Sequence, residues 1–156
     1  MPQRQPSSRT CFVCGRENLV GLRMKWDQDR ESGEVRATVV LPEHFNGYPG
    51  VVHGGVVAAV LDETAGRSIL MDGGFDDLMV TARLEVVYRR PTPTGVPLVA
   101  VGRLVRREGG RAEATGELRL PDGTVSARAT VQLACPPLEI SDGWEPEREH
   151  WRVDPD

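Results

Sequence analysis

The residue types best suited to catalysis lie in a glycine-rich stretch, Asn46–Gly55, and in the apolar segment that follows it. The first N–H groups of a helix lack intrahelical acceptors, and the helix dipole adds positive potential, so a developing oxyanion is stabilised there. Asp62 follows Gly55 by seven residues, about two turns, and lies near the same face of the predicted helix. Glu63 is rotated away by roughly a third of a turn. The pattern predicts an oxyanion site and a candidate catalytic acid on one helix.

Structural roles compete with catalysis for each of these residues. A carboxylate in an apolar helix is costly unless it is paired, hydrated or used. An ion pair with Arg67 or with an arginine from a strand is therefore the alternative role for Asp62. A hydrogen-bonding helix cap is the alternative for His53, and close backbone packing is the alternative for Gly54 and Gly55.

Alternating apolar residues predict the strands that must position this segment. Residues 22–26 and 35–41 alternate, and Ser32-Gly33 between them predicts an antiparallel hairpin. Residues 54–71 are apolar on almost all sides and predict a buried helix. Four further alternating segments follow, at 80–88, 98–104, 112–120 and 125–133.

This order of elements favours an α+β fold in which a strongly curved, largely antiparallel sheet wraps around one long helix. Strands joined by tight turns cannot be parallel neighbours. One such sheet leaves the helix partly open, and a second copy of the chain would close it. We therefore predict a homodimer, and the sequence leaves further pairing into a tetramer open.

Length and composition indicate one domain with a flexible segment at each end. The chain has 156 residues, of which 39% are hydrophobic and 27% charged, as in an ordinary globular protein. We predict a flexible N-terminus at 1–10, a folded domain at 11–137 and an acidic tail at 138–156. In the tail, Trp144 and Trp151 either dock on the body or a partner subunit or stay exposed.

The charge and hydropathy of the chain exclude several classes of partner. A net charge of −4 argues against nucleic acid, since binding to its backbone needs a positive surface. Apolar runs stay well short of the ~20 residues that span a membrane, and the first ten residues have no apolar core of a secretory signal. These features predict a cytoplasmic protein without a membrane partner.

The cysteines predict free thiols. Their number is three, and an odd count without an export signal disfavours a disulfide framework. The pair Cys11 and Cys14 supplies half of a structural zinc site, and Cys135 with a histidine would have to complete it. We therefore predict neither a metal site nor a cofactor.

The run GVVHGGVVAAVLDE, preceded by FNGYPG and followed by VTARLEVVYRRPTP, is similar to the hotdog-fold acyl-CoA thioesterases of the PaaI-like type. Its most specific part is His-Gly-Gly with an acid seven positions after the second glycine. The opening CFVCGRENLVGL also resembles the start of many bacterial members, so the resemblance covers roughly residues 11–135. It implies a hotdog domain over 11–137, with a curved antiparallel sheet around one central helix.

The resemblance implies that the protein hydrolyses the thioester of an acyl-CoA to a carboxylic acid and coenzyme A. It assigns Asp62 as the catalytic carboxylate, acting as nucleophile or general base. It assigns the Gly54 N–H as the group that polarises the thioester carbonyl, from a different subunit. Thr81 matches a residue that positions the water or the carboxylate. Family members often have Asn or Gln at the place of Gly47, which leaves the adjacent Asn46 as a further candidate.

The remaining candidates complete the catalytic group or bind substrate. His53 and Gly55 belong to the catalytic group. Arginines suit the phosphates of coenzyme A, although solvated surface charge is their alternative role. The candidates for substrate binding are Tyr88, Arg89, Arg90, Pro91, Arg107, Gly109, Gly110, Arg111 and Glu63.

Two other functions stay open at this point. Some hotdog domains bind acyl-CoA without cleaving it, and this chain would then be a regulatory module, although Asp62 favours an enzyme. Residues 44–47 (HFNG) resemble the HFPG motif of hotdog dehydratases that act on acyl carrier protein, but the following acid lies at another spacing. The length and head group of the acyl chain are left undetermined.

Overall fold

An antiparallel sheet packed against one long helix forms the core of the structure, a computed structural model that describes residues 1–155. The helices are α1 (Gly54–Arg67) and the short α2 (Leu138–Ser141). The strands are β1 (Gln3–Arg4), β2 (Asp27–Asp29), β3 (Glu34–Val40), β4 (Asn46–Tyr48), β5 (Val51–Val52), β6 (Val80–Tyr88), β7 (Pro97–Glu108), β8 (Arg111–Arg119) and β9 (Val125–Ala134). Short 3₁₀ helices lie at Glu43–Phe45, Ser68–Leu70 and Phe75–Asp77, and a longer one at Asp142–His150. Within the described residues, no helix is both long and apolar enough to cross a membrane.

Seven strands form one antiparallel sheet in the order β1-β2-β3-β7-β8-β9-β6. The consecutive strands β7, β8 and β9 are neighbours, and Gly109 (φ +57°) and Gly123 (φ +85°) adopt the left-handed backbone that their tight turns require. β4 and β5 form a separate ribbon just before α1. The predicted α+β class, antiparallel sheet and single long helix are confirmed.

One face of α1 packs against the sheet, mainly against β7, β8 and β9. Apart from Arg67 at its end, its buried residues recur at three- and four-residue spacing, as expected for one side of a helix. These residues are Val57, Val60, Leu61, Thr64 and Ala65. The opposite side, with Gly55, Ala59, Asp62 and Gly66, is half-buried or exposed. The helix is thus partly open, as the sequence predicts, and Gly55 and Asp62 share the open face.

Two glycines of the sheet let the helix backbone come close. A Cβ added at Gly102 in β7 would overlap the carbonyl oxygen of Thr64. A Cβ added at Gly116 in β8 would lie 3.0 Å from the carbonyl oxygen of Leu61, a contact that a small shift relieves. These two positions therefore set the distance between α1 and the sheet.

We expect Gly102→Ala to lower the free energy of unfolding by about 3 kcal/mol, because the overlap is with backbone, which cannot move aside cheaply. Gly116→Ala should cost about 1 kcal/mol, since its contact is only tight. Urea unfolding of both variants measures the difference. Equal stabilities of the two variants would contradict this description of the packing.

The predicted turn at Ser32-Gly33 is confirmed, but the strand before it is Asp27–Asp29 and does not overlap the predicted 22–26. β2 pairs with β3, and Gly33 (φ +70°) lies in the turn between them. The prediction of a strand over 22–26 is wrong, because this segment is irregular and the Met24 N–H donates to the Val13 carbonyl at 2.8 Å. Its alternation reflects the burial of Met24 and Trp26 in the core.

Both ends of the chain pack against the body, where the sequence predicts weakly ordered segments. β1 pairs with β2, and Gln5 and Ser7 are buried. At the other end, the Arg152 carbonyl accepts a hydrogen bond from the Ser7 N–H at 2.9 Å, and Asp154 pairs with Arg16 at 3.0 Å. The two ends hold each other through polar contacts, which apolar periodicity does not reveal. The predicted limits of the domain stay predictions.

Candidate active site

His53 holds the start of α1. Its Nδ1 accepts a hydrogen bond from the Gly55 N–H at 2.9 Å, and its carbonyl oxygen accepts from the N–H groups of Val56 and Val57. Within residues 1–155, the Gly54 N–H has no hydrogen-bond acceptor. His53 is therefore a helix cap, the alternative role noted above, and the cap leaves the Gly54 N–H available to a ligand.

We expect His53→Ala to lower the free energy of unfolding by about 1 kcal/mol, because the Gly55 N–H loses its acceptor. Asparagine is a good cap, so His53→Asn should keep most of the stability. Urea unfolding checks both values. A His53→Ala variant as stable as the unmodified protein would contradict the capping role.

A cavity of about 500 Å³ opens beside the start of α1, and we call it the helix-start cavity. Tyr88, at the end of β6, donates from its Oη to the Gly54 carbonyl at 2.5 Å. The N–H groups of Arg89 and Arg90 donate to the Ser126 carbonyl at 2.8 and 3.0 Å, which fixes the backbone and leaves both side chains exposed. The predicted site residues that line this cavity are His53, Gly54, Tyr88, Arg89, Arg90 and Pro91.

A second cavity, of about 470 Å³, lies against the other half of the open face of α1, and we call it the Asp62 cavity. The Thr81 hydroxyl donates to Asp62 Oδ1 at 2.8 Å. Thr81 is the second residue of β6, and the β6–β9 register shifts between Thr81 and Arg83, as at many functional sites. Within the described chain, Asp62 Oδ2 has no hydrogen-bond partner. The carboxylate is thus oriented by one oxygen and available through the other.

The ion pair considered for Asp62 is made by its neighbour. Arg67 Nε contacts Glu63 Oε1 at 3.0 Å, and the buried guanidinium also donates to the Pro6 carbonyl and stacks 4.7 Å from the Trp26 ring. Burial raises the pKa of Glu63 to about 7, although the positive charge of Arg67 acts in the opposite direction. Glu63 borders the Asp62 cavity but is engaged by Arg67, whereas Asp62 has no ion pair among the described residues.

Two thiols lie against the same cavity, beside Glu63. Cys11 Sγ accepts hydrogen bonds from the N–H groups of Val13 at 3.3 Å and Cys14 at 3.4 Å. The possible ligand atoms of Cys11, Cys14 and Glu63 lie within 4.8 Å of one another. Among the described residues, the third possible metal ligand beside the two cysteines is therefore Glu63. The sequence suggested Cys135 and a histidine for this role, and Cys135 is exposed. The cysteines are free thiols, and the absence of a metal stays a prediction.

We expect Cys11 to react with iodoacetamide faster than Cys14 at pH 7. A hydrogen bond from the Cys14 thiol lowers the pKa of Cys11 to about 6, whereas the pKa of Cys14 is raised by the same contact and by burial. Cys11 is then mainly thiolate at pH 7, and its labelling should slow as the pH falls through about 6. Peptide mass spectrometry locates the label. The Cys14→Ser variant, which lacks the Cys14 thiol, is compared with the unmodified protein. A labelling rate of Cys11 that is independent of pH between 5 and 8 would contradict the lowered pKa of Cys11.

The candidates for substrate binding include two arginine segments, Arg89–Arg90 and Arg107–Arg111. The second segment lies on the side of the Asp62 cavity. The Gly109-Gly110 turn joins β7 to β8, and Arg107 contacts Asp77 at 3.4 Å. Arg111 lines a further cavity of about 350 Å³ together with Leu133, which also lines the Asp62 cavity. In one chain, the two arginine segments therefore border different cavities.

Asn46 is not brought together with the other candidates. It is exposed on β4, opposite Val52, and lines neither of the two main cavities. Gly47 lines the helix-start cavity instead, and a Cβ there would lie 3.3 Å from the His53 Cα. Asn46 lies one residue before the position at which family members often have Asn or Gln. Its side-chain amide is thus placed away from the site.

A family model described as "Thioesterase superfamily" matches residues 49–127, which include the helix start, Asp62 and Thr81. The chain belongs to this superfamily. Acyl-coenzyme A thioesterase THEM4 of Rattus norvegicus is 36% identical over 66 residues, which are 42% of this chain and 27% of that protein. The chain therefore spans about a quarter of the length of this curated relative.

Solved structures of the superfamily share the fold. The thioesterase superfamily protein RHA08564 superposes with a TM-score of 0.72 at 33% identity, covering 81% of this chain and 60% of that one. A phenylacetic acid degradation-related protein from Ralstonia eutropha superposes with a TM-score of 0.65 at 27% identity, covering 72% and 85%. The predicted hotdog fold and the resemblance to PaaI-like thioesterases are confirmed.

Sequence reasoning missed the part that the C-terminal segment plays in this site. Trp144, Glu147 and Trp151 line the Asp62 cavity, together with Ser8 and Thr10 from the N-terminal segment. The available signal was the three-residue spacing of Trp144 and Glu147, which is typical of a 3₁₀ helix. A search for strands and α-helices looks for periods of 2 and 3.6 residues and does not detect it.

Proposed function

We propose that this chain is an acyl-CoA thioesterase that hydrolyses the thioester bond of an acyl-CoA to a free carboxylic acid and coenzyme A. The proposal is carried by the Asp62 carboxylate, which Thr81 holds by one oxygen against a largely apolar cavity. A thioester is already activated, so its hydrolysis needs a placed carboxylate, a polarised carbonyl and a binding site for the leaving group. The activity in the name of the rat relative supports the choice of substrate.

In the proposed reaction, the Gly54 N–H donates to the thioester oxygen, with the dipole of α1 behind it. Asp62 either attacks the carbonyl carbon or takes a proton from the water that attacks it, and Thr81 keeps the carboxylate in position. If Asp62 attacks, the carbon–sulfur bond breaks to leave an acyl–Asp62 anhydride, and water hydrolyses the anhydride to the acid and supplies the proton that coenzyme A takes up. If water attacks, the carbon–sulfur bond breaks, the proton that Asp62 took from water passes to the sulfur of coenzyme A, and the acid leaves directly. Glu63, paired with Arg67, forms part of the wall that the substrate contacts.

Gly54 and Asp62 of one chain lie too far apart to act on one carbonyl. Eight residues of α-helix rise about 12 Å, whereas both groups must come within about 3 Å of the reacting atoms. The two residues also line separate cavities. We therefore propose that a second copy of the chain completes each site, with its Gly54 opposite the Asp62 of the first.

Two surfaces suit this dimer. One is the open face of α1. The other is β6, which pairs with β9 on one side only, so its outer edge carries unpaired backbone groups. Its exposed apolar side chains are Val80, Leu84, Val87 and Tyr88. Sedimentation at micromolar concentration should show a dimer or a tetramer built from dimers, and a monomer would contradict the proposal.

The arginines supply charge for the phosphates of coenzyme A. Arg89 and Arg90 border the helix-start cavity, beside the Gly54 N–H. Guanidinium groups bind phosphate by forked hydrogen bonds. Arg107 and Arg111 lie on the Asp62 side, so both segments reach one coenzyme A only if they come from different subunits. The proposed reaction uses water and protein groups, without a cofactor. The cytoplasmic location stays a prediction.

A panel of acyl-CoAs with a colorimetric assay for free thiol tests the proposal. We expect thiol release that scales with protein concentration for at least one acyl chain. Tight binding of the same acyl-CoAs without thiol release would contradict it and indicate a binding module. Hydration of an enoyl thioester without thiol release would indicate that the chain acts as a hotdog dehydratase, the other alternative that the sequence left open.

A further inference from the structure

The C-terminal segment forms one wall of the Asp62 cavity. Residues Asp142–His150 form a 3₁₀ helix, in which residues three apart lie on one side. Trp144 and Glu147 have this spacing, are half-buried and line the cavity, and Trp151 lines it just after the helix ends. The side of the segment that faces the cavity therefore carries both of its indole rings.

Ion pairs hold this segment in place. Arg148 contacts Asp76 at 2.6 Å, just before the cavity-lining part of the chain around Leu78. At the end of the segment, Arg16 contacts Asp154 at 3.0 Å, and both side chains are largely buried. These contacts tie the wall to the body at two separate points.

The side chain of Trp151 is held through contacts of its ring. The ring packs edge-to-face on Phe75, with centroids 6.3 Å apart, and lies 5.3 Å from the Arg67 guanidinium. Its indole N–H is buried and has no hydrogen-bond partner among the described residues. A buried indole usually finds such a partner, so the Trp151 N–H is a donor without an acceptor at the cavity wall, while the ring contributes apolar surface.

The rest of the cavity suits an uncharged acyl group. Its charged wall residues are paired, since Glu63 contacts Arg67 and Glu147 contacts Arg9 at 2.5 Å. Asp62 and the Cys11 thiolate are the exceptions, and Asp62 is assigned to the reaction. An anionic acyl group would meet the carboxylates of Asp62, Glu63 and Glu147, and the one cation among the described residues of the wall, Arg67, is already paired with Glu63. The apolar residues of the wall are Ile69, Leu70, Phe75, Leu78, Met79 and Leu133.

We infer that Trp144 and Trp151 close the acyl pocket and set the maximum length of an uncharged, apolar acyl chain that the site accepts. The inference rests on the proposed function, because it takes Asp62 as the point at which the thioester carbonyl binds. It makes these two residues specificity determinants rather than catalytic residues. The acyl chain extends from Asp62 along the apolar wall until it meets the indole rings.

Binding of thioether analogues of acyl-CoA with increasing chain length, measured by calorimetry on the full chain, tests the inference. For the unmodified protein, affinity should rise about fourfold per added methylene up to a limiting length and then stop rising or fall. Trp144→Ala should extend the rise by at least two methylenes, because the indole no longer blocks the chain. Trp144→Phe should leave the limit nearly unchanged. Ile140→Ala is the matched control, since Ile140 is an exposed apolar residue of the same segment that does not line the cavity.

The possible outcomes separate this inference from the proposed function. Three outcomes would overturn the inference even if thiol is released. The limiting chain length is unchanged in Trp144→Ala, it shifts equally in Ile140→Ala, or the affinity does not depend on chain length. A shifted limit without thiol release from the matching acyl-CoAs would support the pocket and contradict the proposed hydrolysis. Trp151→Ala gives a second test of the limit, and thermal unfolding confirms that each variant is folded.

Discussion

Asp62→Asn should lower kcat for acyl-CoA hydrolysis on the order of 10³-fold, because the amide can neither attack the carbonyl nor accept a proton from water. The fold should be unaffected. Asp62 is half-buried on the open face of α1, and its hydrogen bond from Thr81 can be accepted by the amide oxygen. KM should change little, since the carboxylate acts on the reacting atoms rather than on coenzyme A.

Asp72→Asn is the matched control for this variant. Asp72 is an exposed carboxylate that pairs with Arg30 at 3.1 Å and lines neither main cavity. Steady-state kinetics by thiol release, with circular dichroism of each variant, makes the comparison. An Asp62→Asn variant with full kcat would remove the basis of the proposed mechanism.

Gly54→Pro should lower kcat by about 10²- to 10³-fold, the usual cost of losing one oxyanion donor. Proline replaces the N–H hydrogen with a ring carbon, so the oxyanion loses its donor and the space beside the nitrogen is filled. Gly54 is the first residue of α1, where proline is well tolerated, and His53 already has the extended backbone (φ −56°, ψ 133°) that a following proline favours.

Gly54→Ala separates the N–H from the side-chain position. The alanine keeps the N–H, and its Cβ would contact Tyr88 Oη at an ordinary 3.5 Å, so the loss of kcat should be far smaller. Thermal unfolding shows whether each variant keeps its structure. Equal losses of kcat in the two variants would indicate that space beside Tyr88, and not the N–H, matters at Gly54.

The main elements of the fold could be predicted because their apolar patterns are strong. Alternation identified the strands from residue 80 onward, and the apolar run from residue 54 identified α1. The segment 22–26 alternates for a different reason, since Met24 and Trp26 are buried without pairing in the sheet. Alternation reports burial on one side, and only hydrogen bonds decide whether a strand forms.

The candidate site could be predicted in part. Helical spacing placed Gly55 and Asp62 on one face, which the structure confirms. Helical spacing also favours Glu63 over Asp62 as the partner of Arg67, because Glu63 precedes Arg67 by four residues and Asp62 by five, and only the first pair shares a side of the helix. What the sequence could not show is the long-range contact of the Arg67 guanidinium, which donates to the Pro6 carbonyl.

The packing of the C-terminal segment could not be predicted because its contacts are long-range and polar. Arg148 pairs with Asp76 and Arg16 with Asp154, and neither pair has a periodic signal. A 3₁₀ helix of nine residues is also uncommon, so its three-residue period was not an expected pattern. The wall formed by Trp144 and Trp151 therefore became visible only in the structure.

Mixing two inactive variants tests most directly whether each site is built from two subunits. Asp62→Asn and Gly54→Pro chains, co-expressed with different affinity tags, assort into homodimers that are inactive and heterodimers that hold one intact site. If Asp62 of one subunit acts with Gly54 of the other, random assortment should restore about one quarter of the unmodified activity, because half of the dimers each regain one of two sites. If both residues act within one chain, every site in the mixture lacks one of them. Activity no higher than that of the separate variants, in a preparation shown by both tags to contain heterodimers, would contradict the account.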